Sequence, residues 1–263
     1  MSRIPVIAAN WKMFKTNRDA LAYTRELAAL VKPVSGVEVI VAPPLTCLAT
    51  VVEVARNTSV GVAAQNAHFE NEGAFTGEVS AGMVKDAGAG YVIIGHSERR
   101  RLFGETDESV QKKVRAAIRA ELVPIVCIGE TLEEREGGRM IEVLDRQIRV
   151  GLKDSSADDL AALIIAYEPV WAIGTGKTAT PTEADESHRH IRKRLTEWWG
   201  AEAAGKCRIQ YGGSVKPDNI KELSALADVD GALVGGASLD VAGFFKIVQG
   251  AAEGQREKAT GPR

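Results

Sequence analysis

One pattern constrains this chain more than any other. Short β-branched apolar runs alternate with longer helical stretches eight times, from one end of the sequence to the other. The runs are Ile4–Ala9, Val37–Ala42, Val60–Ala64, Tyr91–Gly95, Val123–Ile128, Ala161–Tyr167, Arg208–Tyr211 and Gly231–Val234. They are mostly too apolar for a strand with one wet face, so they read as parallel strands covered on both sides. The helical stretches between them are Asn17–Val31, Thr46–Arg56, Ala81–Ala87, Glu105–Glu121, Leu132–Gly151, Pro181–Trp199, Pro217–Ala225 and Asp240–Gln249. Thr180 before Pro181 and Glu183 punctuates one helix start, and Gly250 is expected to close the last helix. Eight β-then-α units predict an α/β fold of the (β/α)8 barrel type, with an open doubly wound sheet as the alternative. No linker or composition shift divides the chain, so residues 1–250 are expected to form a single barrel domain. The polar tail 251–263 is expected to fray.

Composition narrows the function by exclusion. Lys and Arg number 33 against 35 Asp and Glu, a net charge of −2, which gives no electrostatic case for nucleic acid or an anionic membrane. Cys47, Cys127 and Cys207 are dispersed, which predicts reduced thiols and a cytoplasmic location. The first apolar run is too short for a secretion signal, and no run approaches the ~18 apolar residues of a membrane span. The glycosylation-type tripeptide Asn57-Thr58-Ser59 is therefore read as incidental.

In a barrel the chemistry belongs at the carboxyl ends of the strands. There the sequence places Asn10-Trp11-Lys12, then Gly95-His96-Ser97-Glu98-Arg99-Arg100, then Glu168, Tyr211-Gly212-Gly213-Ser214, and Gly235-Gly236. Glu168 opens a loop, Pro169 to Lys177, rich in apolar residues, with Gly174 and Gly176 near one hinge. That composition suggests a base beneath a water-excluding lid. The glycine pairs and Ser214 suggest backbone N–H groups aimed at an anion, with Lys12 adding charge and Gly174 one more N–H. His96 precedes a helix start, which favours a neutral ring able to donate to a carbonyl oxygen. Glu98 is expected to pair with Lys12 or Arg99, and Ser97 to hold Glu168 while the lid is open. His188 and His190 are two apart on one helix and are read as surface residues, not metal ligands. No Cys/His cluster has zinc spacing, no nucleotide-binding glycine motif is present, and Arg99-Arg100-Arg101 is expected to pair with neighbouring carboxylates. The stretch from Gln65 to Glu78 is longer than a usual strand-to-helix loop and carries Phe75 near its tip, which suggests a finger that docks into a partner subunit.

These motifs together resemble the triosephosphate isomerase family. N-W-K at 10–12, the long third loop, G-H-S-E-R-R at 95–100, C-I-G-E at 127–130, Y-E-P-V-W-A-I-G-T-G-K at 167–177, Y-G-G-S-V at 211–215 and L-V-G-G-A-S-L at 233–239 stand in the family's order. The resemblance implies a TIM barrel that interconverts dihydroxyacetone phosphate and D-glyceraldehyde 3-phosphate, in glycolysis and gluconeogenesis, with no cofactor and no metal. It assigns Glu168 as the base and His96 as the neutral electrophile, with Lys12 and Asn10 assisting. Gly174, Ser214, Gly235 and Gly236 would hold the phosphate. This family is itself the usual worked example of a glutamate base beside a neutral histidine under a closing loop, so those roles come with the resemblance. It also implies a homodimer through the 65–78 loop, in which Thr76 reaches the neighbour's Asn10 and Lys12 and Glu78 pairs with Arg99. A Schiff-base aldolase acting on a phosphorylated sugar is the rival enzyme, but no mid-strand lysine supports it.

Overall fold

The computed structural model describes residues 3–173 and 179–260. Eight parallel strands close into a barrel in sequence order, so the open-sheet alternative is ruled out. They are β1 Val6–Asn10, β2 Glu38–Ala42, β3 Val60–Ala64, β4 Tyr91–Ile94, β5 Val123–Ile128, β6 Ile164–Tyr167, β7 Arg208–Tyr211 and β8 Gly231–Val234. Successive side chains on a strand point to opposite faces. Two separate apolar clusters result. Val6, Ala8, Ile40, Ile93, Ile125, Ile164 and Leu233 belong to one cluster, which fills the barrel. Ile7, Val39, Val92, Val126, Ile165 and Ile209 belong to the other, which packs against the surrounding helices. Because all eight strands are parallel, every carboxyl end opens on one rim.

The sequence reading erred in instructive places. Ala161 and Ala162 are not strand but the end of the Ala157–Ala162 helix. Ser156 starts that helix, accepting from Asp159 N while Asp159 accepts from Ser156 N, a reciprocal cap whose S-x-x-D signature stands in the sequence. The single helix expected over Leu132–Gly151 is two, Leu132–Glu136 and Met140–Gly151, broken at Gly137 and Gly138, the latter at φ +69°. A further helix, Ala201–Lys206, was not expected.

The last helix is longer than expected. Gly250 does not end it; it runs from Val241 to Thr260. A Cβ on Gly250 would lie 2.7 Å from Ile220 Cγ2, and one on Gly254 would lie 2.3 Å from Lys221 O. These glycines permit close packing on the Ile220–Ala225 helix rather than stopping the chain. Further along, Lys258 Nζ donates to the carbonyl of Val229 at 3.2 Å, tying the end of the helix to the start of β8.

His188 is likewise not a surface residue; it is fully buried between the rings of Tyr167 and Tyr211. His190 is only half-buried, with Nε2 2.7 Å from Asp145. Burial pushes the His188 pKa down from 6.5 to about 4, so the ring is neutral in the fold and its Nδ1 donates to the carbonyl of Asp228. A histidine with a depressed folded-state pKa contributes stability above its unfolded value and loses it as pH falls toward the folded one. Between pH 6.5 and 4 this site is expected to remove roughly 3 kcal/mol. Urea unfolding across that range should show a shallower pH slope for His188→Gln than for the parent. Equal slopes would contradict the burial effect.

Candidate active site

The rim residues are fixed by backbone extensions of the ladder. Glu168 N donates to Ile128 O at 2.7 Å, and Gly212 N donates to Tyr167 O at 2.7 Å. Glu168 therefore stands directly at the end of β6, held between β5 and β7, and not on a free loop. Space around it is kept by glycines. A Cβ on Gly129 would fall 1.7 Å from Glu168 O, and one on Gly212 would fall 2.8 Å from Glu168 Cγ.

The Glu168 side chain is buried, which is costly for a carboxylate unless donors surround it. Three do. Ser97 N donates to Oε2 at 2.9 Å, Ser97 Oγ donates to Oε1 at 3.3 Å, and His96 Nε2 lies 3.0 Å from Oε1. The expectation that Ser97 holds this carboxylate agrees with that geometry. His96 caps the Ser97–Phe103 helix, and its Nδ1 accepts from Glu98 N at 3.2 Å. A ring nitrogen that accepts carries no proton, so this cap assigns the ring N–H to Nε2, facing Glu168.

Lys12 lies across the mouth with its backbone in the left-handed region, φ +51°. Asn10 Oδ1 accepts from Lys12 N at 3.0 Å, and Gln65 Nε2 donates to Lys12 O at 2.9 Å and to Ala42 O at 2.8 Å. Lys12 Nζ pairs with Glu98 at 2.7 Å, as expected. Burial alone would raise the Glu98 carboxyl, but the Lys12 hydrogen bond and charge outweigh it and hold its pKa below the usual value. Arg99 pairs with Glu105, and Arg100 with Asp107, so the basic run is met by carboxylates of its own chain.

A cavity of about 410 Å³ joins Lys12, His96 and Glu168 to Ser214, Gly235 and Gly236. Asn10 lines it as well. Gly174, expected to add an N–H, lies outside the described residues, as do residues 175–178. The loop expected to act as a lid begins with a 3-10 turn, Val170–Ala172. Sequence reasoning missed two residues here. Gln65 was seen only as the first residue of the finger. Glu130 is fully buried, and its Oε1 accepts from Tyr167 OH at 3.0 Å, Trp171 Nε1 at 2.8 Å and Arg135 at 3.2 Å. Its carbonyl also accepts from Val170 N at 3.1 Å, which anchors the lid's first turn to β5. Its position just past a strand end was the available signal. Among the described residues no group of three or more His, Cys, Asp or Glu could hold a metal ion.

A closed parallel barrel whose carboxyl rim gathers a buried glutamate, a neutral histidine and a lysine defines a barrel enzyme built for proton transfer on an anionic substrate. The comparisons name the family. The family model described as triosephosphate isomerase matches residues 5–251. A triosephosphate isomerase of Citrifermentans bemidjiense is 57% identical over 247 residues, 94% of this chain and 98% of its own. One from Carboxydothermus hydrogenoformans is 56% identical over 248 residues, 94% and 99% of the two chains. The crystal structure of triosephosphate isomerase from Bartonella henselae superposes with a TM-score of 0.86 at 42% identity, covering 94% and 98%. The chain belongs to the triosephosphate isomerase family.

Gly212→Ala should push Glu168 out of place, because the new methyl has no room beside Cγ. A displacement near 1 Å is expected to lower kcat on the order of 10²-fold. Steady-state assay checks this, and a kcat equal to the parent's would mean that Gly212 does not set the position of the base.

Proposed function

We propose that this chain interconverts dihydroxyacetone phosphate and D-glyceraldehyde 3-phosphate, with Glu168 as the base that moves the proton between adjacent carbons. The observation that carries this reading is the contact between Glu168 and the Nε2–H of His96 at the wall of the anion cavity. Glu168 removes the proton beside the carbonyl. His96 Nε2–H donates to the carbonyl oxygen, which becomes the enediolate oxygen, and the ring needs no net charge to do so. Lys12 supplies positive charge to the same mouth, Asn10 orients Lys12, and the amides at Ser214, Gly235 and Gly236 take the phosphate. Closure of the 169–177 lid keeps water from an enediolate that would otherwise eliminate its phosphate. A coupled assay with glyceraldehyde 3-phosphate, run with and without a chelator, tests the whole reading. Equal turnover in both supports it. An absence of turnover, or borohydride trapping of a Schiff base, counts against it.

The reading extends to a homodimer through the 65–78 loop. Support comes from the apolar surface around a second cavity, lined by Lys12, Glu98, Arg99, Phe103, Gly77 and Glu78. Met13 also lines it, and Met13 and Phe103 are 94% and 67% exposed. Large apolar side chains left exposed beside a cavity suit a protein partner. Within the finger, the Phe75 ring packs 4.5 Å from His68, which stacks on Phe69 at 4.4 Å. Thr76 would then reach the neighbour's Asn10 and Lys12, and Glu78 the neighbour's Arg99. Sedimentation combined with assay is expected to show a dimer whose dissociation lowers activity. A fully active monomer would contradict the interface. For location, the supporting observation is that Cys47, Cys127 and Cys207 are free, buried thiols, and we place the enzyme in the cytoplasm.

A further inference from the structure

Three residues after Lys12, Lys15 also stands in the left-handed backbone region, at φ +76°. That conformation costs an L-residue and is free for glycine. Lys15 does not line the reaction cavity. Its half-buried side chain is nonetheless held by one carbonyl and two aromatic rings. Nζ donates to the carbonyl of Leu239 at 2.8 Å and lies 4.5 Å from the Tyr23 ring centre and 5.3 Å from that of Trp11. The two rings brace one another edge to face at 4.8 Å. Burial draws the Lys15 pKa below its usual value, with Asp19 and Asp240 acting in the opposite direction.

Leu239 directly follows the short 3-10 turn Gly236–Ser238, and it lines the cavity together with Gly235, Gly236 and Ala237. The carbonyls of this segment are met one after another. Tyr23 OH donates to Ser238 O at 2.7 Å, Ser238 Oγ donates to Gly235 O at 2.7 Å, and Lys15 takes Leu239 O. Each held carbonyl fixes the N–H of the next residue, so Ser238 Oγ fixes Gly236 N–H directly, while Lys15 pins the chain just past the turn; donors fixed in advance need no reorganisation when an anion arrives.

We propose that Lys15 is a positioning residue of the phosphate site: braced by Trp11 and Tyr23, its ammonium pins the Leu239 carbonyl just past the 236–238 turn, and so keeps the turn in place with the amides of Gly235 and Gly236 aimed at the phosphate. This rests on the reading of those two glycines as phosphate ligands. Lys15 itself never touches the substrate.

The test uses inorganic phosphate as a competitive inhibitor of the full-length enzyme. Lys15→Gly removes the ammonium and relieves the left-handed backbone, so the melting temperature is expected to hold. Lys15→Met keeps the backbone cost and much of the aliphatic stem. In both, the phosphate inhibition constant and KM should rise about 5-fold with kcat within about twofold, the mark of lost binding shared by ground and transition states. Lys15→Arg should recover part of the loss. A phosphate constant equal to the parent's in either variant overturns the proposal, whatever happens to stability. Gly235→Ala, whose methyl would crowd Lys12 Cε at 3.2 Å, separates the two readings. If Gly235→Ala weakens phosphate binding and the Lys15 variants do not, Lys15 has no positioning role. If none of them does, the phosphate site itself is misplaced.

Discussion

Glu168→Gln is expected to lower kcat by about 10³–10⁴-fold, the range for removing a positioned general base. The side chain keeps its length, and its amide oxygen can still accept from Ser97 N, while its amide nitrogen faces the Nε2–H of His96, so a melting temperature is measured beside the activity. The ability to take a proton is lost. Glu168→Asp is the complementary case, because it keeps the carboxylate and retracts it by one methylene, and should cost on the order of 10²-fold. Both losses should fall on kcat, with unchanged inhibition by inorganic phosphate. If Glu168→Gln retained activity near the parent's, another group would be the base.

His96→Ala is expected to lower kcat by about 10²–10³-fold, the usual effect of deleting one oxyanion donor. This substitution also removes a helix cap, since Nδ1 accepts from Glu98 N, which is expected to cost about 1 kcal/mol of stability. The two effects can be separated with His96→Asn. Its shorter side chain can still cap the Ser97–Phe103 helix but does not reach where Nε2 stands. Parental stability with the catalytic loss intact is the expected outcome. A loss confined to substrate affinity would mean that His96 binds and does not polarise.

The barrel was legible because it depends on periodicity and punctuation that one sequence carries. β3, β5, β7 and β8 fall where the apolar runs stand, and the Asn17–Val31 and Pro181–Trp199 helices have the expected bounds. Errors arose where a local signal has two meanings. Ala161 and Ala162 are apolar on either reading, and only the Ser156 cap separates helix from strand. Gly250 looked like a stop because glycine commonly ends helices, whereas here it makes room for Ile220. His188 reads with His190 as a surface residue, yet residues two apart on a helix face different ways, and the His188 face is buried. At the site, residues at strand ends were legible one by one. What joins them was not, because the bonds of Gln65 to Lys12 and of Glu130 to Trp171 cross 53 and 41 positions of the chain.

The most direct test follows a single proton. Dihydroxyacetone phosphate is converted in heavy water by the parent and by Glu168→Gln, and the glyceraldehyde 3-phosphate is read by proton magnetic resonance. The parent should place solvent deuterium on the carbon next to the new aldehyde, and Glu168→Gln should give almost no product in the same time. Product free of deuterium from the parent, together with parental turnover by the variant, would contradict transfer through this carboxylate.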